Sequence, residues 1–386
     1  MRRYVIFFTI GWLLPAAIII LINGLVDPYR LFHKPWVHDN YYPRNLRILA
    51  SGIINTEAFD SIILGSSIAQ NFSPNEASKV FGSKFVNISI SGSSITERSL
   101  VLNYALKKRK LNEVIYSLDW GSLGIDSISK THIAPYAYLY DNNSWNDILI
   151  YASNPAAFRF AFCNSILISG DNFCTNSKDI ESLVEWHSDK EYSKRFGGLH
   201  KWFDVKNNNQ VQGALKSISQ SIKAINSSDV KKIDLTKLMD SKLKHQQLFR
   251  ANLLNIIAQH PETKFYLFFP PYSRLNYAIT KQSDPQKFED YLEILRFVVN
   301  ECAQHSNVKV YGFETELFLD DISNYRDTLH YHQHFNSKML HWMKKGDHEL
   351  TPSNLNAYIN IISERADSYP LGDIGRQIES FLNLVP

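Results

Sequence analysis

SIILGSSIAQNF, residues 61–72, carries a short apolar run that stops abruptly at Gly65-Ser66-Ser67. An apolar run of this length, ended by turn residues, is the pattern of a buried strand. The next residues are Ser73-Pro74-Asn75-Glu76. They supply a hydroxyl cap, a proline at the first helical position and a glutamate at the third, which together start a helix. Strand, glycine turn and helix make the opening of an α/β unit. The turn leaves two hydroxyls at the strand's carboxyl end.

Four further runs repeat the theme: KFVNISI (84–90), EVIYSLDW (113–120), KFYLFF (264–269) and VKVYGF (308–313). Helical patterns lie between them. Ser94-Ile95-Thr96-Glu97 is a capping box, and its helix ends in Lys107-Lys108-Arg109-Lys110, cations that suit the negative end of the helix dipole. Asp284-Pro285 opens another helix, on which Phe288, Leu292, Leu295 and Val299 recur at helical spacing. Strands that are apolar throughout and alternate with helices imply a parallel sheet covered on both faces. The expected fold is therefore α/β, with three layers. The rhythm fails from about 121 to 230, and a large insertion after the third strand is assigned to about 121–260. Residues 335–386 read as helices that close the fold. No linker marks a second domain, so 59–386 is taken as one unit.

Ahead of it, residues 27–58 read as an irregular, aromatic-rich connection. Residues 1–26 contain two arginines and then an apolar run over 4–22, interrupted only by Thr9, Gly11 and Pro15. About 20 such residues span a bilayer, and basic residues ahead of them favour a cytoplasmic N-terminus. A cleaved signal peptide would have a shorter apolar region and small residues at its cleavage site; Asn23-Gly24-Leu25-Val26-Asp27 is a poor match. The expectation is a single-pass anchor in the cytoplasmic membrane, with the rest of the chain outside. Three cysteines fit an oxidising space: Cys163 and Cys174 could pair, leaving Cys302, or all three could be unpaired core thiols. The formal net charge of +3 over 386 residues gives no basic face for nucleic acid.

A serine hydroxyl becomes a nucleophile when a histidine takes its proton and a carboxylate orients the imidazole. After the last strand the chain offers DDISNYRDTLHYHQH (320–334), with Asp327 and His330 in a D-x-x-H spacing. Each motif alone is weak, and Gly92-Ser93-Ser94 repeats the first tripeptide. Their order along the chain strengthens the pair, because one follows the first strand of the sheet and the other follows the last. A zinc site on the alternating His330, His332 and His334 lacks a completing Cys or Glu cluster. Ser93 is a rival nucleophile, but it sits beside a capping box.

This arrangement resembles the SGNH (GDSL-like) hydrolase superfamily over residues 58–120 and 260–335. The resemblance implies a flavodoxin-like parallel sheet, with Ser67 as nucleophile and Ser66 in the place of the family's aspartate. Asp327 and His330 take the D-x-x-H positions. The backbone N–H groups of Ser67 and Gly92 would form the oxyanion hole. The family's third block, G-x-N-D, is matched here by Ser117-Leu118-Asp119-Trp120, without its asparagine. A carboxylate cannot donate a hydrogen bond unless protonated, so Asp119 either orients substrate or caps the next segment. The G-S-S turn resembles the membrane-anchored branch, which includes proteins of alginate O-acetylation and teichoic-acid D-alanylation. That branch implies acyl transfer, of acetyl for example, to or from a cell-surface polysaccharide, with a membrane-bound O-acyltransferase as partner and no metal or cofactor. The contrasting reading is a non-catalytic polymer-binding or assembly protein on a decayed hydrolase scaffold.

Overall fold

A computed structural model describes residues 2–34, 36, 42–43, 45–124, 127–141, 144–163, 176–177, 180, 193–205, 209–227 and 232–384. Its strands, in chain order, are β1 (Tyr42–Pro43), β2 (Ser61–Leu64), β3 (Phe85–Asn87), β4 (Glu113–Ser117), β5 (Asn176–Ser177), β6 (Lys264–Phe269), β7 (Val308–Gly312) and β8 (Glu349–Leu350). Six of them form one sheet in the order β3-β2-β4-β6-β7-β8, while β1 and β5 pair separately. From β3 to β7 all pairings are parallel; β8 runs antiparallel to β7, with Val310 opposite Leu350. All five runs expected to be strands are strands of this sheet.

Ile62, Ile63 and Leu64 of β2 are wholly buried, as a strand covered on both faces requires. The helices Pro74–Phe81 and His334–Lys345 pack together, and Ile95–Lys108, Leu235–Phe249 and Pro285–Cys302 form a second packed group. The expected helix starts are present. Ser73, Ser94 and Asp284 accept from the N–H groups of Glu76, Glu97 and Lys287 respectively. After β2 the chain goes to one side (β3) and then to the other (β4), so the end of β2 lies where open α/β sheets form crevices.

Three boundaries differ from the sequence reading. The connection 27–58 is not irregular throughout, because Leu46–Thr56 is a helix capped by Asn45. Eight of its first nine residues, Leu46 and Ile48 to Ile54, are buried. Ser51-Gly52 at its centre is a dipeptide that marks turns in sequence. The insertion ends near 230 rather than 260: Leu235–Phe249 continues through a π turn at Arg250–Leu254 into Asn255–Gln259 and delivers the chain to β6. It is the regular crossover between β4 and β6. The third difference is β8, too short at two residues to leave a pattern in sequence.

The first helix spans Arg2–Val26 with Pro15 inside it. Among the described residues no helix is long and apolar enough to cross a membrane, so the expected span over 4–22 is not established by the fold. The helix's C-terminal end is fixed to the body. Asn23 Nδ2 donates to the Tyr151 carbonyl at 2.8 Å, and the Tyr151 hydroxyl donates to buried Asp27. Asp27 also accepts the N–H groups of Leu31, Phe32 and His33. Farther up, Leu13, Leu14, Ile18, Leu21 and Leu25 are exposed. The proposed partner of Cys163, Cys174, lies outside the described residues. Cys302 is buried, which pushes its thiol far up.

Candidate active site

Gly65 ends β2 where no side chain fits. A Cβ there would stand 2.3 Å from Ser117 Oγ and 2.6 Å from Ala69 Cβ. That close approach lets Ser66 and Ser67 turn outward at the carboxyl end of the sheet. Ser67 is partly exposed. Its Oγ lies 2.8 Å from His330 Nε2, across 263 residues of sequence.

His330 is held from behind by Asp327. Nδ1 is 2.8 Å from Oδ2, and Oδ1 also accepts the N–H groups of Leu329 (2.9 Å) and His330 (2.8 Å). A carboxylate only accepts, so in the neutral imidazole the proton sits on Nδ1. Nε2 then presents its lone pair to the serine hydroxyl. Burial by itself would raise the Asp327 carboxyl, but His330, Arg326 and the backbone N–H hold it well below the usual range. The turn is braced by the segment after β6. Ser273 donates to the Thr328 carbonyl from both N (3.1 Å) and Oγ (2.7 Å), and the Tyr325 hydroxyl donates to the Pro271 carbonyl at 2.8 Å. Pro270 and Pro271 thus lie in a loop that supports the histidine.

Gly92 sits on an exposed turn with φ of 65°, and a Cβ there would meet nothing within 4 Å. The turn is tied to the end of β2, since Ile90 N and Ser93 Oγ both donate to the Gly65 carbonyl, at 2.8 and 3.2 Å. The two loops expected to supply oxyanion donors are therefore neighbours.

Asp119 takes a different part from a substrate contact. Its carboxylate accepts Ser66 Oγ at 2.6 Å and Ser117 Oγ at 2.7 Å, and it pairs with Arg98 at 2.7 Å. Arg98 is completely buried; burial opposes its charge, yet Asp119 holds it firmly protonated. Its other donors reach Ser93 Oγ (2.9 Å), the Ser93 carbonyl (2.8 Å) and the Ser117 carbonyl (2.6 Å). One ion pair thus fastens the loops after β2, β3 and β4 to one another. Nothing in the sequence had singled out Arg98. The available signal was a cation in the first turn of a capped helix, where the dipole disfavours positive charge.

His332 and His334 stand apart from the triad, with their Nδ1 atoms 2.7 Å from each other. Among the described residues no cluster of three or more His, Cys, Asp or Glu is disposed to hold a metal ion. No protein-family model matches this sequence, and no curated protein matches it either.

Proposed function

We propose that this protein is an SGNH-type serine acyltransferase or esterase, acting outside the cytoplasmic membrane on an acylated cell-surface polysaccharide. The observation that carries this reading is the continuous chain Ser67 Oγ to His330 Nε2 and His330 Nδ1 to Asp327, at 2.8 Å for each link. Hydrogen-bond reach between nucleophile and base, with the base oriented by a third group, is what nucleophilic acyl transfer needs.

In the first step Ser67 Oγ attacks the donor's acyl carbonyl while His330 Nε2 accepts the hydroxyl proton. The N–H groups of Ser67 and Gly92 would steady the oxyanion. Collapse breaks the acyl–oxygen bond, and His330 returns the proton to the departing alcohol. In the second step a glycan hydroxyl or water gives its proton to His330 and attacks acyl-Ser67. The acyl group leaves on that oxygen, and the proton returns to Ser67. Asp327 stays ionised throughout and balances the imidazolium.

The exposed leucines and isoleucine of the first helix, together with the apolar run 4–22, support a membrane location for that helix. A membrane-bound acyltransferase would then be the natural source of the acyl group. Alkaline phosphatase fused after residue 60 should be active in cells; activity of a cytoplasmic reporter at the same point would overturn the topology.

One observation favours the second reading, a polymer-binding protein. The third loop carries Asp119 with its carboxylate engaged by Arg98, Ser66 and Ser117, and so offers no oxyanion donor there. Labelling by a fluorophosphonate probe separates the two. Acyl chemistry requires labelling of the wild type that is lost in Ser67→Ala; an unlabelled wild type leaves the binding protein.

A further inference from the structure

Leu329, the chain neighbour of His330, lines a cleft of about 380 Å³, within the range of about 300–1,000 Å³ usual for small-molecule sites. Two of its walls are chain neighbours of residues described above. Leu329, next to His330, lines one side, and Trp120, next to Asp119, lines another. The remaining walls come from the helices Arg274–Ser283 and Pro285–Cys302, with His245 contributed by the crossover helix.

We propose that this cleft binds an uncharged sugar ring, the acceptor or donor unit of the acylated polymer. The proposal deepens the acyl-transfer reading and rests on it. Trp120 is a fixed platform: its ring packs on Tyr291 at 4.5 Å and Tyr277 at 6.1 Å between centroids. An indole face carries negative quadrupole density, which suits the C–H face of a pyranose.

Around the indole stand the polar side chains of Asn276, Lys287 and Asp290. The Asn276 side-chain amide makes no hydrogen bond among the described residues, although its backbone groups do. Burial raises the Asp290 carboxyl. Side-chain hydrogen bonds from Ser241 and Gln286 counter that, while Oδ1 is left without a partner among the described residues. Such a group costs free energy until a donor fills it, and a sugar hydroxyl is a donor. Lys287 holds its ammonium 5.6 Å from the Trp120 ring centroid.

The charge balance selects among ligands. Asp290 repels a phosphate or a uronate, whereas Lys287 disfavours an amine. An acyl chain would leave Asn276 and Asp290 unsatisfied. A neutral ring, bearing hydroxyls that both donate and accept, matches every group.

The test uses full-length protein in a detergent without a sugar headgroup. Saturation-transfer NMR on the Ser67→Ala variant reads binding of methyl glucoside, methyl mannoside, methyl galactoside and methyl N-acetylglucosaminide, against glucuronate and inorganic phosphate. At least one neutral glycoside should bind, and Asn276→Ala and Asp290→Asn should each weaken it about fivefold, the loss of one hydrogen bond. Trp120→Phe, which keeps an aromatic ring, should weaken it less than Trp120→Ala. Binding of none of the four, tighter binding of glucuronate or phosphate, or indifference to both polar variants would overturn the proposal. The burst of nitrophenolate from 4-nitrophenyl acetate with wild-type protein tests the chemistry separately. Sugar binding without a burst removes the acyl-transfer reading and leaves a sugar cleft; a burst without sugar binding removes the cleft alone.

Discussion

Gly65-Ser66-Ser67 and Gly92-Ser93-Ser94 are the same tripeptide, each following a strand of the same sheet, and they have opposite fates. In the first turn Ser67 is partly exposed and meets His330, while Ser66 faces inward to Asp119. In the second, Ser93 is buried against the Gly65 carbonyl and Arg98, and Ser94 caps a helix. Neither hydroxyl of the second turn is offered a base. The lesson is that a serine's chemistry resides in its partners, and the second turn serves as a brace for the first.

The largest effect expected from this contrast is on turnover. Ser67→Ala and His330→Ala should each lower the rate of acyl-enzyme formation by about 10³-fold or more, and the double variant should cost little beyond either single change, because the residues act as a unit. Rates with 4-nitrophenyl acetate measure this; additive losses would separate the two residues. Next comes the ion pair that joins the turns. Arg98→Met removes a buried charge from Asp119, and urea denaturation should show a loss of about 3–5 kcal/mol. A loss near zero would mean that the loops are held by backbone contacts instead.

Smaller effects set one turn against the other. Ser66→Ala deprives Asp119 of one donor beside the nucleophile, and kcat should fall about tenfold through misplacement of Ser67. Ser93→Ala should leave kcat within about twofold and reduce stability by about 1 kcal/mol, the worth of one hydrogen bond. Equal effects of the two changes on kcat would erase the distinction.

The smallest effect concerns a carboxyl outside both turns. Glu314, just past β7, is wholly buried, and burial pushes its carboxyl up to about 7, although the hydroxyls of Tyr291 and Tyr358 partly counter this. The fold favours its protonated form. Its contribution to stability is therefore fully present below about pH 4.5 and is lost as pH rises through about 7. Thermal melts of Glu314→Gln should lack that part of the pH slope, and its Ser67 chemistry should be unchanged. A slope identical to wild type would show Glu314 ionised in the fold throughout.

What sequence made legible follows what local chemistry encodes. β2, β3, β4, β6 and β7 announced themselves because strands buried on both faces must be apolar throughout. Ser73, Ser94 and Asp284 announced their helices because caps act within three residues. Ser67, Asp327 and His330 were legible because each sits at a strand end in the order a parallel sheet would bring together. Leu46–Thr56 was hidden by Ser51-Gly52 at its centre, a dipeptide that reads as a turn. The Arg98–Asp119 pair was hidden for another reason: it joins residues 21 apart whose only shared property is the space between three loops. The cleft at Trp120 depends on five separate elements, and no local pattern could have assembled it.

The brevity of β8 and β3 bears on how the chain behaves in a crowd. They are the outermost strands, of two and three residues, and beside β8 the exposed Lys309 of β7 pairs with Glu349 at 2.7 Å. A growing aggregate recruits strands along open edges, and long, flat, uncharged ones are the best templates. Here each margin offers only a few backbone groups before the chain turns away, and one margin is charged. The central strands, apolar enough to nucleate stacking on their own, are kept out of reach by neighbours too short to copy.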